Sequence, residues 1–216
     1  MRAAFGALAL LLPTGAAAAG VQVWPAATVN LPLGGEWRGT VELSGRTRAG
    51  YPSGQVVLRM FALHPIAPGV SLGGGYARTE ITQAGGRRLS EDQSFQQLNW
   101  DMGRAGPASF TTRVRLEQRF QSGVREASWR IRAQVRAFAP VGNNGVRLAL
   151  FAEPFVALNR TTRVRRDFDQ LRLFGGLNLP VTGNATLEVG YLGQFLNRAG
   201  GDTWVHAVPI SFNVRL

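Results

Sequence analysis

"TTRVRLEQRF" (111–120) and, shortly after it, "SWRIRAQVRAF" (128–138) alternate between apolar and charged side chains. On an extended backbone successive side chains point to opposite faces, so Val114, Leu116, Gln118 and Phe120 share one face while Arg113, Arg115, Glu117 and Arg119 share the other. The second stretch repeats the division, with Trp129, Ile131, Ala133, Val135 and Ala137 opposite Arg130, Arg132, Gln134 and Arg136. Charges therefore collect on one face of each strand.

The same period runs through the rest of the chain. Leu148 and Leu150 oppose Arg147, Leu171 and Leu173 oppose Arg172, and Leu187, Val189 and Tyr191 oppose Glu188. The end, "WVHAVPISFNVRL" (204–216), places Val208, Ile210, Phe212, Val214 and Leu216 against Pro209, Ser211, Asn213 and Arg215. No segment carries helical periodicity over three turns, and the alternating runs predict strands near 36–48, 54–64, 69–82, 91–101, 108–121, 125–139, 145–158, 167–180, 184–197 and 203–216. Most exceed the roughly 5–6 residues of a globular strand and match the roughly 9–11 that a tilted membrane-spanning strand needs. Tight connections, "PVGNNG" (140–145) and "VTGN" (181–184), alternate with longer charged ones, "QAGGRRLSED" (83–92) and "NRTTRVRRD" (159–167). Short turns on one side and longer loops on the other are the habit of outer-membrane barrels.

Two architectures satisfy the alternation: a soluble sheet structure with its apolar face inside, and a membrane barrel with that face in lipid. About ten apolar faces would need a facing sheet to cover them in water, whereas lipid covers them in one layer and leaves the interior polar. Trp37, Tyr76, Trp100, Phe120, Trp129, Tyr191, Trp204 and Phe212 lie mostly toward strand ends, as interfacial girdles require. A chain that stops on a strand needs a pairing partner for it, and closure of the last strand on the first supplies one and removes the edge. The expected fold is all-β: an antiparallel up-and-down transmembrane barrel of about ten strands, with twelve as the alternative. Even parity makes "VWPAATVNLPL" (23–33) a periplasmic lead-in or partial strand, because an eleventh strand would leave the N-terminus outside.

Composition bounds the rest. The chain has 216 residues and a net charge of +11, and its 24 basic residues are all Arg. Such a balance ordinarily points to nucleic acid or anionic lipid, but arginines that alternate inward on many strands do not build one exposed nucleic-acid surface. Cysteine is absent, which excludes disulfides, thiolate metal sites and a lipidated N-terminal Cys; His64 and His206 are the only imidazoles. No cofactor or metal is expected. "MRAAFGALALLLPTGAAAAG" (1–20) reads as an export signal: Arg2, an apolar run from Ala3 to Leu12, a break at Pro13, and small residues Ala17 to Ala19 suited to cleavage after Ala19. That divides the chain into a signal peptide, 1–19, and a barrel domain, 20–216, bound for the bacterial outer membrane.

The ordered series "RVRLEQRF" (113–120), "WRIRAQVR" (129–136), "FAEPFVALN" (151–159), "FDQLRLFGGLN" (168–178) and "LEVGYLGQF" (187–195) resembles the bacterial DUF2490 family. The resemblance runs from about Trp24 to Leu216, is strongest after Phe110, and is less distinctive at "EWRGTVELSGR" (36–46). It implies an outer-membrane β-barrel and supplies no activity. The terminal Leu216 departs from the usual aromatic end that the barrel-assembly machinery reads, with Phe212 four residues earlier.

The inward set of Arg113, Arg115, Glu117, Arg119, Arg130, Arg132, Arg136, Arg147, Glu153, Arg172, Glu188 and Arg215 is the candidate functional feature. It reads either as a structural ladder of ion pairs filling a narrow lumen or as the lining of a narrow, anion-preferring, porin-like pore. Loop residues Arg160, Arg163, Arg165 and Arg166 are placed on the external side, where lipopolysaccharide phosphates suit the guanidinium fork. Outer-membrane lipid, lipopolysaccharide and the assembly machinery are the expected partners; the oligomeric state is left open. The alternative, a lipid- or lipopolysaccharide-modifying enzyme, would need a His, Ser and acid to converge. His206 and Ser211 have opposite parity, His206 lying on the lipid-facing register near the outer rim, and His64 precedes Pro65 in an expected periplasmic turn. "GVSLGGGY" (69–76) lacks the Lys and helix of a phosphate loop and reads as close strand packing.

Overall fold

The alternating stretches fold as one continuous sheet that closes on itself. The structure, a computed structural model, describes residues 21–48, 51–198 and 200–216; the expected signal peptide, 1–19, lies outside the described residues. Among these the chain forms β1 (Val21–Gly34), β2 (Trp37–Arg48), β3 (Tyr51–Ala67), β4 (Val70–Thr82), β5 (Arg88–Ala105), β6 (Ala108–Gln121), β7 (Ser128–Pro140), β8 (Arg147–Ala157), β9 (Asp167–Thr182), β10 (Ala185–Leu196) and β11 (Thr203–Arg215). Each strand pairs antiparallel with the next, and β1 joins β11 to close the barrel.

The expectation of ten strands, or twelve, is corrected: the barrel has eleven, and 23–33 is most of a full strand. Even parity follows only if every pair is antiparallel. An odd number forces one parallel seam, and here it joins β1 to β11 from Val21↔His206 to Asn30↔Arg215. β1 obeys the same inside–outside rule as its neighbours, with Gln22, Trp24, Thr28 and Asn30 in register with inward residues and Val23, Ala27 and Val29 with outward ones. Without it, β2 and β11 would each present an unpaired edge. At the seam's end the Leu216 amide donates to the Asn30 carbonyl at 2.8 Å.

Connections sort by end. The two-residue hairpins β1–β2, β3–β4, β5–β6 and β9–β10 and the six-residue β7–β8 turn lie at one end, and the links β4–β5, β6–β7, β8–β9 and β10–β11, of five to nine residues, lie at the other, together with the start of β1. His64 is a further correction: it sits within β3, its ring 4.9 Å from that of Trp37, and not in a turn.

The two faces differ as the alternation requires. Leu43, Leu58, Met60, Leu72, Trp100, Phe120, Ile131, Leu150, Leu173, Tyr191 and Trp204 are exposed on the outer face, whereas Phe95, Phe155 and Phe174 are buried inside. Inside, Gly176 and Gly190 face each other in register, and Phe174 lies over them, stacked on Phe151 at 5.0 Å. A Cβ on Gly190 would stand 2.4 Å from the Gly175 carbonyl oxygen and 2.8 Å from the Phe174 ring. Gly190→Ala is therefore expected to cost about 1–3 kcal/mol by overpacking. Thermal unfolding checks this against Gly183→Ala, whose Cβ would meet nothing within 4 Å.

Candidate functional site: the charged lumen

Strand pairing carries every member of the expected inward set onto the inner face, because Arg113, Arg115, Glu117 and Arg119 on β6 align with Gln134, Arg132, Arg130 and Ser128 on β7, and so on around the barrel. Glu117 is the centre. Its Oε2 accepts from Arg130 Nε at 2.8 Å and Nη2 at 2.5 Å, and its Oε1 lies 3.0 Å from Arg132 Nε, an ion pair whose angle does not make a hydrogen bond. Glu153 on β8 accepts from Arg113 Nη2 at 2.7 Å and sits 3.7 Å from Arg132 and 3.9 Å from Arg172. Arg136 pairs with Glu188, and Arg147 donates to Asn178 Oδ1 at 2.8 Å. Arg215 aligns with Asn30 at the hairpin-end rim and is exposed.

Arginine outnumbers carboxylate inside, so several guanidiniums lie on aromatic rings instead. Among the described residues Arg115 pairs with no carboxylate; it donates to Gln97 Oε1 and lies 4.1 Å from the Phe95 centroid. Arg130, Arg132 and Arg172 surround Phe155 at 5.1, 5.3 and 4.7 Å. A guanidinium over a ring face is attracted by the ring quadrupole and is more easily desolvated than an ammonium, which lets these charges fill a lumen that water leaves. Arg115, Glu117 and Glu153 are 1 %, 0 % and 2 % exposed, and with buried Phe95 and Phe155 they form a dry layer across mid-barrel.

Above that layer, toward the long loops, the lumen opens into a vestibule of about 810 Å³. Its walls include Arg46, Glu91, Arg119, Arg172 and Arg198, and Glu117 and Arg132 lie at its floor. Glu91 holds Arg119 through two bonds of 3.0 and 2.6 Å, and Arg59 donates to Glu42 at 2.5 Å. Glu42, Arg46, Arg59 and Glu91 are absent from the expected set although their parity is inward. Glu42 and Arg46 lie in "EWRGTVELSGR" (36–46), where Thr40 and Ser44 separate the inward charges, a weaker alternation that is the signal that could have found those two.

The loop arginines divide. Arg160, Arg163, Arg165 and Arg166 are all exposed, but Arg163 and Arg165 border the vestibule mouth, while Arg166 lies with Val156 and Leu158 in a separate surface hollow. On the outer face His206 accepts or donates at 2.5 Å to the Tyr191 hydroxyl, and Ser211 is on the opposite face, aligned with Glu188. The two do not meet.

The architecture defines a class first: a closed β-barrel with a largely apolar exterior and buried ion pairs inside. The chain belongs to the DUF2490 family, described as proteins of unknown function, which it matches over residues 21–205, so the resemblance seen in its motifs holds. It is similar to an uncharacterized protein of Methylorubrum extorquens, 35 % identical over 165 residues that cover 74 % of this chain and 72 % of that one. No solved structure matches it.

Proposed function

We propose that the protein spans the bacterial outer membrane as a barrel with its hairpins in the periplasm and its long loops, together with the start of β1, outside, and that it acts as a structural barrel closed at mid-height. One observation carries this reading: the exposed large apolar side chains of β2 to β11 face outward around a closed barrel while most ion pairs face in, Arg78, Glu80 and Asp92 forming an outward group toward the loop end. In water that exterior would be an apolar patch far beyond the few hundred Å² that soluble monomers show. In a bilayer it is the required surface, and closure leaves no backbone edge in hydrocarbon. Trp37 and Trp100 near the hairpin end, and Phe120, Trp129 and Trp204 near the loop end, sit where interfacial girdles belong. The strands run 11 to 18 residues, enough to cross when tilted.

The pore reading is the weaker branch because Arg115, Glu117, Glu153, Phe95 and Phe155 pack dry across the lumen. An exported chain of this kind would be inserted by the barrel-assembly machinery, and the exposed arginines of the β8–β9 loop would meet lipopolysaccharide phosphates outside. Refolded protein in a planar bilayer is expected to give no steady conductance. Phe155→Ala with Arg115→Ala is expected to open an anion-preferring leak, because arginine still dominates the wall. Steady conductance of the unaltered chain would remove the structural reading in favour of the pore.

A further inference from the structure

Guanidinium donors exceed their acceptors at one place above the dry layer. Arg46 on β2 forms no ion pair or side-chain hydrogen bond among the described residues and is held by lying 4.3 Å over the Trp24 ring. The carboxylate two turns of the alternation away on its own face, Glu42, is taken by Arg59 at 2.5 Å. Arg172 on β9 lies 5.4 Å from the same indole; it reaches Glu153 only at 3.9 Å, and Arg113 already bonds that carboxylate. The Nε atoms of Arg172 and Arg59 are buried with no hydrogen-bond partner. Arg46, Arg59 and Arg172 all line the vestibule. Arg46 is repelled by Arg59, Arg130 and Arg132, and Arg172 by Arg46, Arg130 and Arg132.

We propose that the loop-end vestibule binds a small phosphate-bearing solute, its phosphate held between Arg46 and Arg172 beside Trp24. A phosphate monoester carries up to two negative charges and three strong acceptor oxygens, so it answers several forked donors at once, as a single carboxylate does not. Trp24 keeps both guanidinium planes in place, and its own Nε1 donates to Gln22 Oε1 at 2.8 Å, which fixes the indole. The chamber of about 810 Å³ admits an organic group attached to the phosphate. Lipopolysaccharide carries the same chemistry, but its phosphates sit around the outside of a barrel, and the inward-facing pair of Arg46 and Arg172 favours a soluble carrier that enters by the mouth.

This site rests on the inward register and not on the membrane reading. Thermal unfolding of the refolded barrel is measured in inorganic phosphate, in glucose 6-phosphate and in chloride at matched ionic strength, and again with added lipopolysaccharide micelles. Both phosphates are expected to raise the midpoint by about 5–10 °C over chloride at a hundredfold excess over Kd. Arg46→Gln and Arg172→Gln lose the rise; Arg104→Gln, exposed at the hairpin end, keeps it. Should a Gln variant not refold, Arg46→Lys keeps the charge without the fork and is expected to show a clearly smaller rise. An equal rise in wild type and in these variants, or none in wild type, overturns the site; a rise with lipopolysaccharide alone overturns the soluble carrier. Membrane fractionation is scored separately, so loss of the membrane reading leaves this result standing.

Discussion

Glu117→Gln is expected to destabilise the barrel by about 3–5 kcal/mol, the cost of removing one partner from a buried ion pair and leaving the other charged. Glu117 is fully buried, takes two bonds from Arg130 and faces Arg132 at 3.0 Å, so its neutralisation strands two guanidiniums in a dry layer. Neither has a ready substitute. Asp169 lies 3.8 Å from Arg130, and Glu153 lies 3.7 Å from Arg132 but already serves Arg113. Parity alone gives a milder expectation, since a lumen wet enough to screen the pair would lose little. The dry packing decides for the larger value. Heat-modified gel mobility and thermal unfolding measure it, with Glu36→Gln as control because that side chain is 74 % exposed. Equal midpoints for the two variants would mean that the central ion pair is solvated.

Leu173→Arg is the second large effect, with roughly 2–4 kcal/mol expected for Arg near a bilayer midplane. Leu173 lies midway along β9, is exposed on the outer face, and aligns with Ala152 and Gly193, so an added charge there has no acid neighbour in register on either side. Its sequence neighbour Arg172 points into the lumen, where the same side chain is held by Phe155. One residue thus separates a tolerated arginine from a damaging one. Yield of assembled barrel and thermal midpoint in lipid test this; Gln134→Glu on the inner face should assemble close to wild type. A Leu173→Arg barrel as stable as wild type would place the outer face in water.

The inner face was legible wherever charge and bulk contrasted strongly. "RVRLEQRF" and "WRIRAQVR" separate Arg from Leu, Ile and Trp at every step, and a period of two leaves only the choice of which face is inside. The choice followed from there being too many apolar faces to cover. β1 is hidden for a different reason. Its alternation mixes Ala, Thr and two prolines, and the even-strand rule argued against it; the parallel seam with β11 is a property of closure that no local pattern carries. Pairings within the lumen were equally invisible. Glu117 meets Arg130 because β6 and β7 are neighbours, which sequence order suggests, whereas Arg136 meets Glu188 across three strand boundaries, which depends on barrel curvature. Arg46 lay hidden because Ser and Thr around it blunt the contrast, and its place beside Trp24 depends on β1 being a full strand.

Quenching of tryptophan fluorescence by lipids brominated on their acyl chains tests the inside–outside assignment most directly. Trp37, Trp100, Trp129 and Trp204 are exposed on the outer face, and Trp24 is turned into the lumen with Arg46 and Arg172 beside its ring. In refolded barrels that keep one tryptophan each, with Phe at the other four positions, the account predicts strong quenching for the outer four, deepening as bromine approaches each girdle, and almost none for Trp24. Strong quenching of Trp24, or unquenched outer tryptophans on a chain that stays in the aqueous phase, would contradict it.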